Sequence, residues 1–250
     1  MIWEKLSALI EKQDPVFFVE KMQGVPLADV HQCEANCAIQ LPKSYEKFLL
    51  TMGTSSGDFH PFGSTMVHDF YALMKHLPAK HYPQHHFFKV AFESDESEIT
   101  KYHIFIDLRR SSGDDAPLVM FEAGVLSNPD EIQELGLTFN ELITSRIYNY
   151  FELNRKSATG SILIDPPDLR ETSIPGLKGS LELLRKMGYT LVFPELPRVA
   201  CLRRDGLSVL LEVQEDTRSV LVKLGANAAR DLATVVQQFL EHMPGASQMT

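Results

Sequence analysis

Residues 154–160, NRKSATG, divide this 250-residue chain in two. The stretch is polar and small, the composition of a linker, and the charge balance changes across it. Up to Arg155 there are 13 basic and 22 acidic residues, which carry the whole net charge of −9, whereas from Lys156 onward 11 of each cancel. The chain is long enough for two cores. The expected domains are therefore residues 1–156, acidic, and 157–250, neutral.

An acidic surface repels phosphate backbones and attracts basic partners, which argues against nucleic acid as the ligand of the first part. Apolar residues make up 44 % of the chain and charged residues 23 %, as in ordinary globular proteins. The start, MIWEKLSALIEKQD, mixes Glu4, Lys5, Glu11 and Lys12 with its apolar residues, which is not a signal-peptide pattern. Purely apolar runs reach about four residues, far short of the roughly 20 that span a bilayer. Three cysteines, Cys33, Cys37 and Cys201, give no disulfide framework and suit a reducing compartment. The expectation is a cytoplasmic protein.

In the first part, Trp3, Leu6, Leu9 and Ile10 share one helical face. Asp14-Pro15 is a helix start, and 27–37 reads as a helix. The clearest helix spans 42–52. Pro42 suits its first position, Tyr45, Phe48, Leu49 and Met52 form a buried stripe, and Gly53 falls where a left-handed cap belongs. Strands follow at 87–92, 102–108 and 117–122, with Ser-Ser-Gly-Asp-Asp (111–115) as a turn. Thr138 and Glu141 form a capping box, stapled by Leu137 and Leu142, for a helix running to about Leu153. In the second part, a helix at 177–187 ends at Gly188, and strands follow at 189–193, 198–204, 207–213 and 217–224. Arg204-Asp205-Gly206 is a tight hairpin turn. A last helix, 226–242, is expected to bury Ala229, Leu232, Val236, Phe239 and Leu240. The fold class is α+β: an antiparallel or mixed sheet flanked by helices, then a smaller domain of helix, antiparallel meander and helix.

Several patterns suggest chemistry. Gly53-Thr54-Ser55-Ser56-Gly57 matches G-x-S-x-G, but a nucleophile elbow joins a strand to a helix, and here a helix comes first. A cap and a loop are expected instead. Eight of nine histidines lie between His31 and His103, four of them (His76, His81, His85, His86) in HLPAKHYPQHH. Their spacing follows no helical ladder and completes no zinc set, so a solvated loop is expected. Cys33 and Cys37, one helical turn apart, could share a metal, but buried thiols are the commoner outcome. Glu93, Asp95, Glu96 and Glu98, with Asp114 and Asp115, form acidic loops without the spacing of a calcium loop. A solvated loop is the commoner outcome, and docking to a basic partner is the alternative that the net charge of this part offers. The helix–strands–helix order of the second part lacks the basic helix start of a double-stranded RNA-binding domain.

Glu34 on a helix, Leu41-Pro42, a helix with Tyr45 and Phe48-Leu49, and Gly53 follow one another in this order. So do Tyr102 to Asp107, Gly113, Leu118 to Phe121 and Phe139-Asn140-Glu141-Leu142. In these residues the first 153 positions resemble the SUKH superfamily of bacterial immunity proteins and fungal cell-wall synthesis regulators. Members often carry Asn-Gly-Gly after the Phe-Leu helix, where this chain has Met52-Gly53-Thr54. The resemblance implies binding without catalysis, cofactor or metal. The partner would be a cognate protein toxin with a basic nuclease or deaminase domain, whose active site the immunity protein blocks. Asp58, Asp95, Glu96, Asp114 and Asp115 are the expected partner-binding residues. The alternative implied by the fungal members is a regulatory or scaffolding module without a toxin partner. The second part resembles no family.

Overall fold

The computed structural model describes residues 2–75, 86–94, 102–122, 132–165, 175–214 and 217–249. The chain is α+β and forms two compact units. One comprises residues 10–142 with Trp3, the other 143–250 with Ile2 and residues 4–9.

In the first unit, α1 (Ile2–Gln13) contributes Trp3, whose Nε1 donates to Thr51 Oγ1 at 3.0 Å. Trp3, Leu6, Leu9 and Ile10 are all buried, as their spacing predicts. Asp14 Oδ1 accepts the Phe17 N–H at 2.9 Å and opens a single π-helical turn, Phe17–Lys21. The chain then enters β1 (Met22–Gln23), α2 (Leu27–Cys37) and α3 (Lys43–Met52). Next come β2 (Ser55–Ser56), which pairs with β1, β3 (Met66–Val67) and α4 (Phe70–Lys75). β4 (Phe87–Glu93), β5 (Tyr102–Asp107), β6 (Pro117–Glu122) and β7 (Gln133–Thr138) follow. Strands β3 to β7 form one antiparallel meander in chain order.

The core of this unit is aromatic. Tyr45 and Phe48 of α3 lie 5.2 and 5.5 Å from the Phe139 ring, both edge to face, the arrangement aromatic quadrupoles favour. The 111–115 turn covers the start of α3. Gly113 O accepts the Lys43 N–H and Asp114 O the Ser44 N–H, each at 3.0 Å, satisfying donors that a helix leaves open at its N-terminus. The capping box forms as expected: Glu141 Oε2 accepts the Thr138 N–H at 2.9 Å, and Thr138 Oγ1 the Glu141 N–H at 3.3 Å.

The second unit takes up the chain within α5 (Phe139–Tyr148), which continues as a π-helical turn, Asn149–Leu153. β8 (Ala158–Ile164), α6 (Pro175–Lys186), β9 (Thr190–Leu191), β10 (Val199–Arg204), β11 (Leu207–Val213) and β12 (Val220–Ala226) follow. α7 (Ala229–His242) and β13 (Ala246–Met249) complete it. The sheet order is β13-β8-β12-β11-β10-β9, antiparallel throughout. Asp205 (φ 39°) and Gly206 (φ 82°) turn the β10–β11 hairpin, the left-handed pair of a type I′ turn. A mostly aliphatic core, including Leu181, Leu184, Leu202, Leu211 and Val222 with the ring of Phe239, fills the space between the sheet and its helices α6 and α7.

Three expectations are revised. The polar stretch 154–160 holds only a four-residue turn, because β8 begins at Ala158. The packing divides the chain between Leu142 and Ile143, inside α5, instead of near 156. Phe139 belongs to the aromatic core of the first unit, whereas Tyr148 donates its hydroxyl to Leu202 O of β10 at 2.6 Å. In α7 the buried residues are Val235, Val236 and Phe239, with Leu232 partly buried; Ala229 and Leu240 are exposed. The stripe centres on 232–235–236–239, which leaves Leu240 at its rim.

Candidate functional site

Gly53 ends α3, yet its φ is −71°, so it is not a left-handed cap. Glycine is needed there for close approach. A Cβ would stand 2.6 Å from Leu49 O and 2.8 Å from Val25 Cγ2. The left-handed glycine of this stretch is Gly57, with φ 53°. Ser55 lies in the two-residue strand β2, its hydroxyl donating to Lys21 O at 3.0 Å. Ser56 is 3 % exposed, its hydroxyl donating to Phe59 O and standing 2.9 Å from His68 Nε2. Burial, followed by the charge of His60, pulls the His68 imidazole down to about 4, against Asp69 and the Met66 backbone. A serine and a neutral histidine therefore meet, but the oxygen faces the interior. The pair pins the loop after α3, and sequence reasoning offered no signal for it, because the two residues meet only through the tertiary fold.

The acidic residues separate by role. Asp58 is exposed, in the loop beyond the C-terminal end of α3. Asp114 is exposed at the other end of that helix, 3.2 Å from Lys43 Nζ. Ten helical residues, about 15 Å, lie between these ends. Asp115 has a different task. Its Oδ1 accepts the Ala116 N–H at 2.9 Å and the Asn140 N–H at 3.0 Å. Burial pushes its carboxyl upward, more than its bonds to Thr138, Asn140 and Ala116 pull it down. Asp115 is thus a structural cap that holds the 111–115 turn against the start of α5. Asp95 and Glu96 lie outside the described residues.

Two carboxylates not singled out as contacts shape this surface. Asp107, fully buried at the end of β5, accepts from Arg109 Nε and Nη2 and from Arg110 Nε, each at 2.9 Å. Burial alone would raise its pKa, but the hydrogen bonds of Arg109 and Arg110 hold it below the usual carboxylate range. Glu34 Oε1 accepts the Leu41 N–H at 2.8 Å, fixing the segment that leads into α3.

In the second unit, a polar layer lies where the Asn149–Leu153 turn meets the sheet. Glu152, 2 % exposed, accepts from Arg203 Nη2 and Ser208 Oγ, both at 2.6 Å, and lies 3.3 Å from Lys156 Nζ. Burial raises its pKa, but Ser208 and the charges of Arg203 and Lys156 outweigh that and lower it. Glu212 pairs with Lys223 Nζ at 2.6 Å and takes a hydrogen bond from Ser145. A cavity of about 420 Å³ adjoins the ends of α6 and α7, lined by Ile164, Leu183 and Met243 among others. Its lining carries Asp165, Glu182 and Lys186, the last two one turn apart on α6.

Among the described residues, no three His, Cys, Asp or Glu side chains gather as a metal set, and no helix is long and apolar enough to cross a membrane. His76, His81 and His85 lie outside the described residues. His86 precedes β4, its carbonyl accepting the Leu108 N–H at 2.8 Å. No family model, curated protein or solved structure matches the chain.

Proposed function

We propose that the chain is a SUKH-like immunity protein whose acidic N-terminal part binds a basic protein toxin and blocks its active site. One observation carries this reading: the entire −9 charge excess lies in the first 155 residues. A toxin domain that handles nucleic acid is basic for the same reason, and complementary charge speeds encounter and suppresses wrong partners. Asp58 and Asp114 are exposed carboxylates held on well-anchored loops, where binding residues usually sit. The quoted motif residues have structural work, which agrees with binding through loops: Glu34 holds the Leu41 backbone, and Tyr45 and Phe48 pack in the core.

The test is to mix the full-length protein with the toxin domain encoded beside its gene and to co-express the two. A complex at low salt and restored growth are expected. No complex at low salt together with no rescue overturns the proposal.

A further inference from the structure

Cys33 and Cys37 are joined by a third sulfur. α2 sets the two cysteines one turn apart, on the same face. Cys33 is buried and Cys37 half-buried. From α4, Met74 brings its Sδ to 3.4 Å from Cys33 Sγ, accepting the S–H. His31 is exposed and lies two residues before Cys33, about 200° around the helix from it, so it does not join.

We propose that Cys33, Cys37 and Met74 form a binding site for one soft monovalent cation of the Cu(I) class. Thiolate and thioether ligands select such an ion, whereas zinc asks for four nitrogen or sulfur donors. Metal–sulfur bonds of about 2.3 Å in a trigonal plane need sulfurs about 4 Å apart, close to the contact already present. Each cysteine gives up its proton, so one cation replaces two protons. A disulfide fits less well: Cβ atoms one helical turn apart are about 5–6 Å from each other, against about 4 Å in a disulfide.

A second observation points to the same place. The Tyr45 hydroxyl is fully buried and has no hydrogen-bond partner among the described residues, and Cys33 is its electrostatic neighbour. A free buried donor that feels the Cys33 charge is the kind of outer support that metal-bound thiolates use.

The experiment is an anaerobic titration of the reduced full-length protein with Cu(I), in competition with the chromophoric chelator bathocuproine disulfonate. The protein is expected to withdraw one equivalent per chain. Cys37→Ser is expected to abolish this, and Met74→Leu and Tyr45→Phe to weaken it about tenfold. Cys201→Ser is expected to leave it unchanged. No withdrawal by the parent protein, or a Cys37→Ser titration equal to the parent's, overturns the site. If Cys37→Ser does not fold by circular dichroism, the X-ray absorption spectrum of the copper-loaded parent decides. Sulfur-only scattering supports the site, and a nitrogen or oxygen shell overturns it. The outcome is independent of toxin binding.

Discussion

The two units solve the same problem with different side chains. Both are antiparallel sheets with helices, the first a meander in chain order and the second with β8 and β13 placed beside β12; the first closes around aromatic rings and the second around mostly aliphatic side chains. Their buried and half-buried carboxylates differ as well. In the first unit, Glu34, Asp115 and Glu141 accept backbone N–H groups, and Asp107 holds the two arginines that follow it. These are local anchors at element ends, and they fix loops. In the second unit, Glu152 and Glu212 sit between helical residues and strands, paired with cations on the sheet. They fix a helical segment on a sheet. The first arrangement leaves acidic loop tips exposed, and the second lies in a unit whose charges nearly cancel.

The largest effect expected from breaking this contrast is at Phe48. Phe48→Ala removes the ring that meets both Tyr45 and Phe139 and should cost about 4 kcal/mol. Urea unfolding followed by fluorescence of the single tryptophan, Trp3, reads it within the first unit. Glu152→Ala is next. It leaves Arg203 and Lys156 half-buried without their carboxylate, a loss of about 3 kcal/mol, visible as faster hydrogen exchange in β10 and β11. Asp115→Ala should cost about 1–2 kcal/mol, because two backbone donors lose their acceptor; the urea midpoint measures it.

Acid sharpens the contrast further. The folded-state pKa values of Glu152 and Asp107 are lowered from 4.5 and 3.8. Each therefore contributes stability that is fully present above those values and is lost as pH falls through the lower folded pKa. Asp115, raised in the fold, works in the opposite sense, since its ionised form is the one disfavoured. Glu152→Gln should flatten the acid side of the stability profile below about pH 4.5. The smallest effect belongs to the loop tips: Asp58→Asn with Asp114→Asn should change stability by no more than about 0.5 kcal/mol.

Much of this was legible in the sequence, for local reasons. The 204–206 hairpin, the Thr138–Glu141 capping box and the α3 stripe depend on residues within one or two turns of each other, and each appears where its pattern places it. What escaped depends on distant partners. β8 begins with Ala158, Thr159 and Gly160, which read as linker; it is a strand because β12 and β13, far along the chain, pair with it. Gly53 looked like a left-handed cap, but its constraint is the nearness of Val25. Asp115 looked like a loop acid, but Asn140, 25 residues away, makes it a cap. The sulfur site is half legible: Cys33 and Cys37 show their spacing, but nothing in the sequence brings Met74 to them.

The proposed capture of a basic protein by the acidic first unit rests on its loop tips. The most direct test is the affinity of the full-length chain for the toxin domain encoded beside its gene, measured from about 50 to about 500 mM salt. The same series is run with Asp58→Asn/Asp114→Asn. Binding that weakens by at least about tenfold with salt, and a double variant that is weaker at low salt and less salt-dependent, is the predicted result. No binding at the lowest salt, or binding indifferent to both salt and the two substitutions, would contradict it.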